Sequence, residues 1–491
     1  MRYILSFILS LSVICWGQSK PVYNNIIQKT AEAMMNETAL KHASLSYYVY
    51  DLDSNKAIAN YDAEKSLVPA STQKLLTTAT ALQLLGSYYK FKTYLEYDGV
   101  IDTLTRTLKG NIYIKGGGDP TLGSKYFSKT KNVFKQEWYD AIKELGVDKI
   151  EGSIIGDATW FTDDMVPTTW IWGDIANYFA AGPNGLTVYD NTYHIDFSSG
   201  PNAGDSTTVE CVIPYIPEMT IENRVKAAKI KNDQAYIFGA PYDTYKIAQG
   251  RIPMAKESFQ VKGSIADPAF LVAWELNWML RDSGIVISNN PSTIRRLKQI
   301  GPLSEAKRTT FHTHKSPSLS RIIYWTNLVS VNLYAEHLLR AVAKKKYHDG
   351  SNFSGTIGVQ KYWKSKGVNI SGLYVNDGSG LSRHNAISAQ HMVGVLKVMN
   401  TSKYAKTFKS SLPVAGKTGT LKSMCKGTSA QGNLKAKSGT MTRIKSYAGY
   451  VTTKSGRHLA FAMIINNHTC SHSVLKKKLE KMMVSMSSYT K

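Results

Sequence analysis

Residues 69–82 read Pro-Ala-Ser-Thr-Gln-Lys-Leu-Leu-Thr-Thr-Ala-Thr-Ala-Leu, and this run constrains the fold more than any other. Small and helix-forming residues follow the Pro-Ala step, which predicts a helix beginning near Ser71. The leucines and alanines beyond would bury that helix and hold its first turn rigidly. Residues three apart share a helix face, so Ser71 and Lys74 are expected side by side. The first turn carries unpaired N–H groups and the positive end of the macrodipole. That field favours an oxyanion at Ser71 and disfavours a proton on Lys74. A serine beside a desolvated lysine is an activated nucleophile with its own base. Ser-x-x-Lys alone is common: Ser87/Lys90, Ser128/Lys131, Ser304/Lys307, Ser423/Lys426 and Ser473/Lys476 also fit it. Ser71 is set apart by its helix start and by two partner motifs far downstream.

The first partner is Ser330-Val331-Asn332, at the centre of a stretch over residues 318–344 that reads as one long helix. It offers a hydroxyl that can relay a proton and an amide that can hold a substrate amide. The second is Lys437-Ser438-Gly439-Thr440. A cation and two hydroxyls there can hold a carboxylate, while glycine lets backbone approach closely. Lys417-Thr418-Gly419-Thr420 repeats the pattern, but it follows the turn-like Leu412-Pro413-Val414-Ala415-Gly416 and has no strand to aim it. Lys437 begins a run of expected strands at 436–440, 446–452 and 458–465 and is therefore taken as the working lysine. A helix over residues 473–486 closes the chain.

A length of 491 residues exceeds one ordinary core, so two or three domains are expected. With 43% hydrophobic and 20% charged residues the chain is a folded one. Its formal net charge of +24 suits an anionic envelope or a polyanionic polymer. No nucleic-acid partner is expected, because no basic stripe accompanies a known motif. Arg2, the apolar run from Tyr3 to Ile14 and the small residues Cys15 and Gly17 read as a secretory signal over residues 1–17, too short to span a bilayer. A lipoprotein anchor at Cys15 fits less well behind the bulky Ile14. No later segment reads as a stable membrane span, so the mature chain is expected to be exported, to the periplasm or cell envelope. Cys211, Cys425 and Cys470 then remain. A Cys425–Cys470 disulfide and three free thiols both stay open. Neither Cys-x-x-Cys nor His-Glu-x-x-His occurs, and no metal or organic cofactor is expected. His312 and His314 read as a strand edge.

Helical spacing at 23–40 and strands at 44–51 and 57–61 precede the Ser71 helix. From about residue 96 short apolar runs alternate with turns. Asp267-Pro268 reads as an N-cap with proline at the first helical position, opening a helix whose Phe270, Trp274 and Trp278 are expected in the core. The expected division is 18–95 plus 311–491 as one catalytic domain, and 96–310 as an inserted region with a nested subdomain near 162–258.

In order, then, come a helix-start Ser-x-x-Lys, a long interruption, a mid-helix Ser-x-Asn, and a strand Lys-Ser-Gly-Thr before a hairpin and final helix. That order is the signature of penicillin-interacting enzymes. Further matching runs are Pro69-Ala70-Ser71, Gly118-Asp119-Pro120-Thr121-Leu122, Trp170-Ile171-Trp172-Gly173-Asp174, Asp377-Gly378-Ser379-Gly380-Leu381-Ser382 and Leu412-Pro413-Val414-Ala415-Gly416. On these the chain resembles the class C low-molecular-mass penicillin-binding proteins, the D-Ala-D-Ala carboxypeptidase/endopeptidase group, over nearly all its mature length. Ser438 departs from the threonine of many relatives but keeps the hydroxyl.

The resemblance implies an α/β (α+β) fold: a β-lactamase/transpeptidase-like domain whose antiparallel sheet is covered by helices and split by inserted β-rich domains. It also implies that Ser71 attacks the carbonyl between two D-alanines of a peptidoglycan stem peptide and that Lys74 takes its proton. Ser330 would pass a proton to the leaving amine, kept near Lys74 and Lys437. Asn332 would orient the acylated substrate, and Lys437, Ser438 and Thr440 would hold the terminal carboxylate beside Gly439. The N–H groups of Ser71 and Thr440 would form the oxyanion hole, and Asp174 would meet a free amino group on the stem peptide. β-Lactams would trap Ser71 as inhibitors. Two other readings stay open at this point: a β-lactamase, disfavoured by the long insertion, and a catalytically silent wall-binding protein, disfavoured by the intact set of reactive residues.

Overall fold

The structure is a computed structural model that describes residues 23–130 and 133–490. The signal expected at residues 1–17 lies outside the described residues. A five-stranded antiparallel sheet joins the two ends of the chain. Its order is Lys435–Met441, Ile444–Thr452, His458–Asn466, Ser44–Asp51 and Lys56–Tyr61. Side chains alternate across a strand, and His458–Asn466 buries both sets. Ala460 and Ala462 face one hydrophobic cluster, with Leu75, Leu76, Leu82, Tyr334, Leu338, Met392 and Leu396. Leu459, Phe461, Met463 and Ile465 face another, with Ile27, Leu475, Leu479 and Met482 from the first and last described helices, Ile26–Met35 and His472–Ser487. The small alanines on the first face let the Ala389–Thr401 helix pack against the sheet, and behind it packs the Lys74–Leu85 helix.

That helix is the expected one, with a tighter start. Ala70–Gln73 forms a 3-10 turn, with Ala70 in the left-handed region at φ 47°, and the α-helix proper begins at Lys74. Every residue from Lys74 to Leu82 is buried. Gly86 ends the helix at φ 88°, its N–H bonded to the Leu82 carbonyl.

Two expectations fail for instructive reasons. The stretch over 318–344 is not one helix but two, Leu319–Leu328 and Asn332–Tyr347. Ser330 stands between them in the left-handed region at φ 67°. Flanking β-branched Val329 and Val331 favour helix weakly, and the Gly419 backbone crowds the Leu328 carbonyl that ends the first helix. The Phe270, Trp274, Trp278 stripe also leaves the core. Four-residue steps drift by about 40° each on a helix. Phe270 is buried, but Trp278 is 47% exposed, and Leu276 and Leu280 fill the core face instead. Asp267 does cap this helix, accepting from the Phe270 N–H at 3.1 Å.

Between these parts lie further sheets over a separate hydrophobic cluster. One has five strands, in the order Ser292–Thr293, Ile154–Asp157, Ile112–Gly116, Lys92–Tyr97 and Thr309–Lys315. Two three-stranded sheets occupy residues 192–264. The chain leaves the catalytic part through Lys92–Tyr97 and returns through its antiparallel partner Thr309–Lys315. On that pairing and the separate core we propose the division 18–95 plus 311–491 and 96–310, with the paired small sheets as the nested unit.

Candidate active site

The first turn of the buried helix, the break before Asn332 and the Lys435–Met441 strand meet at one place. That strand is the edge of the central sheet; residues 413–415 bridge only its start, at Lys435 and Ala436, and no neighbouring strand pairs with its outer side beyond them. Gly439 brings it against the Ser71 turn. A Cβ built there would lie 2.2 Å from Ser446 Oγ, 2.7 Å from the Pro69 carbonyl and 2.9 Å from the Ser71 nitrogen. Glycine is therefore obligatory by contact. Ser446 pins the same turn by donating to the Pro69 carbonyl, and Thr72 donates to Ser446 Oγ at 3.2 Å.

Lys74 Nζ has three oxygen neighbours: Ser71 Oγ at 2.9 Å, Asn332 Oδ1 at 2.6 Å and the Ser379 carbonyl at 2.7 Å. The Asn332 amide is oriented by its own donor, since Nδ2 gives a hydrogen bond to the Phe179 carbonyl at 2.6 Å. Two of the three partners can therefore only accept. A neutral amine gives its two hydrogens to them and turns its lone pair to the Ser71 hydroxyl. Burial is the main reason that the Lys74 ammonium is held down, to about 7, and the negative charges of Asp377 and Glu336 oppose the fall. Lys437 Nζ donates to Ser330 Oγ at 2.9 Å and to the Ser438 carbonyl at 2.7 Å. It too is buried and held well below the usual lysine range, first by burial and then by the nearby Lys74 and Lys445 charges. Ser71 and Ser330 remain half-buried, open to a ligand.

The structure thus brings Ser71, Lys74, Ser330, Asn332, Lys437 and Gly439 together. Ser438 is buried and donates to Thr420 Oγ1 at 2.7 Å, and the exposed Thr440 accepts from Lys445 Nζ at 2.6 Å. Asp174 lies on a half-buried turn, its N–H bonded to the Ile171 carbonyl at 2.9 Å. Burial pushes its carboxyl up, and Arg383 acts against that. The segment around Asp174 is tied to the centre twice: through the Phe179 carbonyl on Asn332, and through Trp170 Nε1, which donates to Asp377 Oδ2 at 2.9 Å. Among the described residues, Cys211, Cys425 and Cys470 are free thiols.

Residues 27–489 match the model of the D-Ala-D-Ala carboxypeptidase 3 (S13) family. The chain belongs to that family. Membership makes it a D-Ala-D-Ala carboxypeptidase, a hydrolase of the serine-peptidase kind. The D-alanyl-D-alanine carboxypeptidase of Actinomadura sp. strain R39 is 27% identical over 456 residues, covering 90% of this chain and 81% of the relative. Penicillin binding protein 4 from Haemophilus influenzae has a crystal structure similar to this one, at a TM-score of 0.78 and 22% identity, covering 94% of this chain and 100% of the other. The same Haemophilus protein in complex with a β-lactam superposes at 0.73, with 21% identity and coverage of 94% and 100%. The likeness in fold extends from the S13 catalytic sheet through the inserted sheets.

Sequence reasoning missed several groups that meet these residues. Ser379 acts through its carbonyl, which no side-chain pattern reveals. Glu336 follows Asn332 by one helical turn and so shares its face, a spacing that a search for buried carboxylates would find. Thr420 belongs to the Lys417 stretch, which has no strand to mark it in the sequence.

Proposed function

We propose that this carboxypeptidase removes the terminal D-alanine from peptidoglycan stem peptides through an acyl-enzyme on Ser71, with Lys74 as its general base. The observation that carries the reading is the pair of fixed acceptors around Lys74 Nζ, which leaves the amine lone pair for Ser71. Ser71 Oγ attacks the carbonyl between the two D-alanines and its proton passes to Lys74. The N–H groups of Ser71 and Thr440 receive the oxyanion. Gly439 supports this by holding the edge strand against the Ser71 nitrogen. Each such donor is typically worth a hundredfold or more, about 3 kcal/mol. Ser330 returns a proton to the leaving amine, because its hydroxyl touches Lys437 at 2.9 Å. Asn332 orients the acyl group. The substrate carboxylate binds near Lys437, Ser438 and Thr440 and favours the proton that Lys437 gives up easily without it. Water then releases the shortened peptide, and a β-lactam acylates Ser71 in place of the dipeptide. Among the described residues no helix is long and apolar enough to cross a membrane. The net charge of +24 fits work on an anionic wall in the periplasm or cell envelope.

Ser71→Ala decides the nucleophile. Fluorescent penicillin should label the native chain stably and the alanine variant not at all, with unchanged thermal unfolding. A covalent adduct on the variant would refute Ser71, and rapid release of the label from the native chain would indicate a β-lactamase.

Asp174 recognises a free amino group on the stem peptide. Its half-buried, raised carboxyl gains from a cation, and the exposed Ile171 and Trp172 offer apolar contact to the arm that carries it. Asp174→Asn should lower kcat/KM about tenfold on amino-bearing peptides, the order of one charged hydrogen bond, and spare acyl-D-Ala-D-Ala mimics. Equal losses on both substrates would refute the assignment.

A further inference from the structure

Glu336 is a fully buried carboxylate that the reaction described above does not use. Burying such a charge is costly unless partners satisfy it. Its partners are unusual. Oε2 accepts from the Gly378 N–H at 2.9 Å and Oε1 from the Ser379 N–H at 2.7 Å. The two oxygens thus hold successive N–H groups of one peptide turn. The other side of that turn is fixed as well: Thr77 Oγ1 donates to the Gly378 carbonyl at 2.7 Å. Gly380, at φ 84°, lies so close to Ala70 that a Cβ would stand 2.0 Å from the Ala70 carbonyl. The carbonyl left free at the centre of this clamp is that of Ser379, and it accepts from Lys74 Nζ.

We propose that Glu336 is the positioning residue of the general base: its carboxylate holds the Ser379 carbonyl against Lys74 and supplies a negative charge that offsets the burial of the lysine. The proposal rests on the reading of Ser71 and Lys74 as nucleophile and base. Without the Ser379 acceptor, one amine hydrogen of neutral Lys74 would have no fixed destination and could turn to Ser71 in place of the lone pair. Asn332 and Glu336 sit one turn apart on the Asn332–Tyr347 helix, so a single rigid element aims both obligate acceptors at Nζ.

Charged groups approach Glu336 from several elements. Lys74 faces it from the nucleophile helix and Asp377 from the loop. Lys437 of the edge strand stands beyond Lys74, and Arg340 follows one turn along its own helix. Burial and then the Asp377 charge push the Glu336 carboxyl up, while the bonds from Gly378 and Ser379 favour the ionised form. Its negative charge in turn raises Lys74 against the effect of burial.

The sign of the test follows. Acylation needs neutral Lys74, so its rate rises with pH through the lysine's titration. Removing the Glu336 charge lets Lys74 lose its proton more readily, and the rising limb should move to lower pH. We would measure the second-order rate of Ser71 acylation by fluorescent penicillin from pH 5 to 9, with the label mapped by mass spectrometry. Glu336→Gln should shift the limb down by about one unit and lower the plateau about tenfold, since a weaker base with one clamp bond removed transfers the proton more slowly. Glu336→Asp keeps the charge on a shorter arm, so the limb should stay in place while the plateau falls. A purely structural role would lower thermal stability and leave the limb of the glutamine variant at its native position, which overturns the proposal. An aspartate variant with native plateau and limb overturns it equally, and does so even if the glutamine variant does not fold. A label mapped away from Ser71 overturns the nucleophile assignment and this proposal with it. A Ser71 label with an unmoved limb overturns this proposal alone.

Discussion

Two stretches of the chain carry almost the same four residues, Lys417-Thr418-Gly419-Thr420 and Lys437-Ser438-Gly439-Thr440, and only their surroundings differ. Lys437 is fully buried and reaches Ser330, whereas Lys417 is exposed beside a tight turn, its N–H bonded to the Val414 carbonyl at 3.0 Å. Gly439 is part of a seven-residue edge strand that pairs with Ile444–Thr452, while Gly419 opens a short 3-10 turn at φ 55°. Both glycines are needed for close contact, but they contact different things: Gly439 meets the Ser71 turn and Gly419 the end of the Leu319–Leu328 helix. The lesson is that residue types make a catalytic set only when strand register aims them. The exposed copy serves the site indirectly, by letting the helix end where Ser330 must begin and by placing Thr420 on Ser438.

The largest expected effect falls on the buried copy. Lys437→Ala removes the partner of Ser330 and the cation that a substrate carboxylate would meet. Charged hydrogen bonds contribute about 1.5–3 kcal/mol each, so acylation should fall at least about a hundredfold while the fold persists, checked by penicillin labelling and thermal unfolding. Near-native acylation would dissolve the contrast between the two stretches.

A smaller effect sharpens it. Thr420→Val keeps the shape of the exposed turn but removes the hydroxyl that accepts from Ser438 at 2.7 Å. One neutral hydrogen bond is worth about 1 kcal/mol, so kcat/KM for an acyl-D-Ala-D-Ala peptide should fall by about fivefold, mainly through KM. A loss as deep as that of Lys437→Ala would make the two stretches equal partners.

The same contrast shows what could be read in advance. Ser44–Asp51, the Ser71 turn and the Lys437 strand were legible because each follows from local period or local punctuation. That Lys437 and not Lys417 stands on a strand was legible too, since only Lys437 leads into alternating strands. What could not be read depends on distant partners. The break at Ser330 is shaped by Gly419, the Ser379 carbonyl is placed by Glu336, and the roll of Trp278 out of the core follows from which face the inserted sheets cover. Backbone acceptors leave no mark in residue type, and a buried glutamate on a helix looks in sequence like a solvated one.

The smallest effect is the most exacting test of the comparison. Lys417→Ala alters the residue that best matches the motif by its letters. Its ammonium lies over Gly432, where a Cβ would stand 3.0 Å from Nζ. Its backbone bonds, from Lys417 N and Thr418 N to the Val414 carbonyl, do not need the side chain. Exposed substitutions away from caps and strained positions usually change stability by less than about 0.5 kcal/mol. Acylation and peptide hydrolysis should therefore stay within about twofold of the native rates, the range that such an energy allows. The acidic limb of the rate profile should not move, because the charges acting on Lys74 are Asp377 and Glu336 and those acting on Lys437 are Lys74 and Lys445. A deep loss in Lys417→Ala beside a mild one in Lys437→Ala would reverse the assignment and place the carboxylate site on the turn.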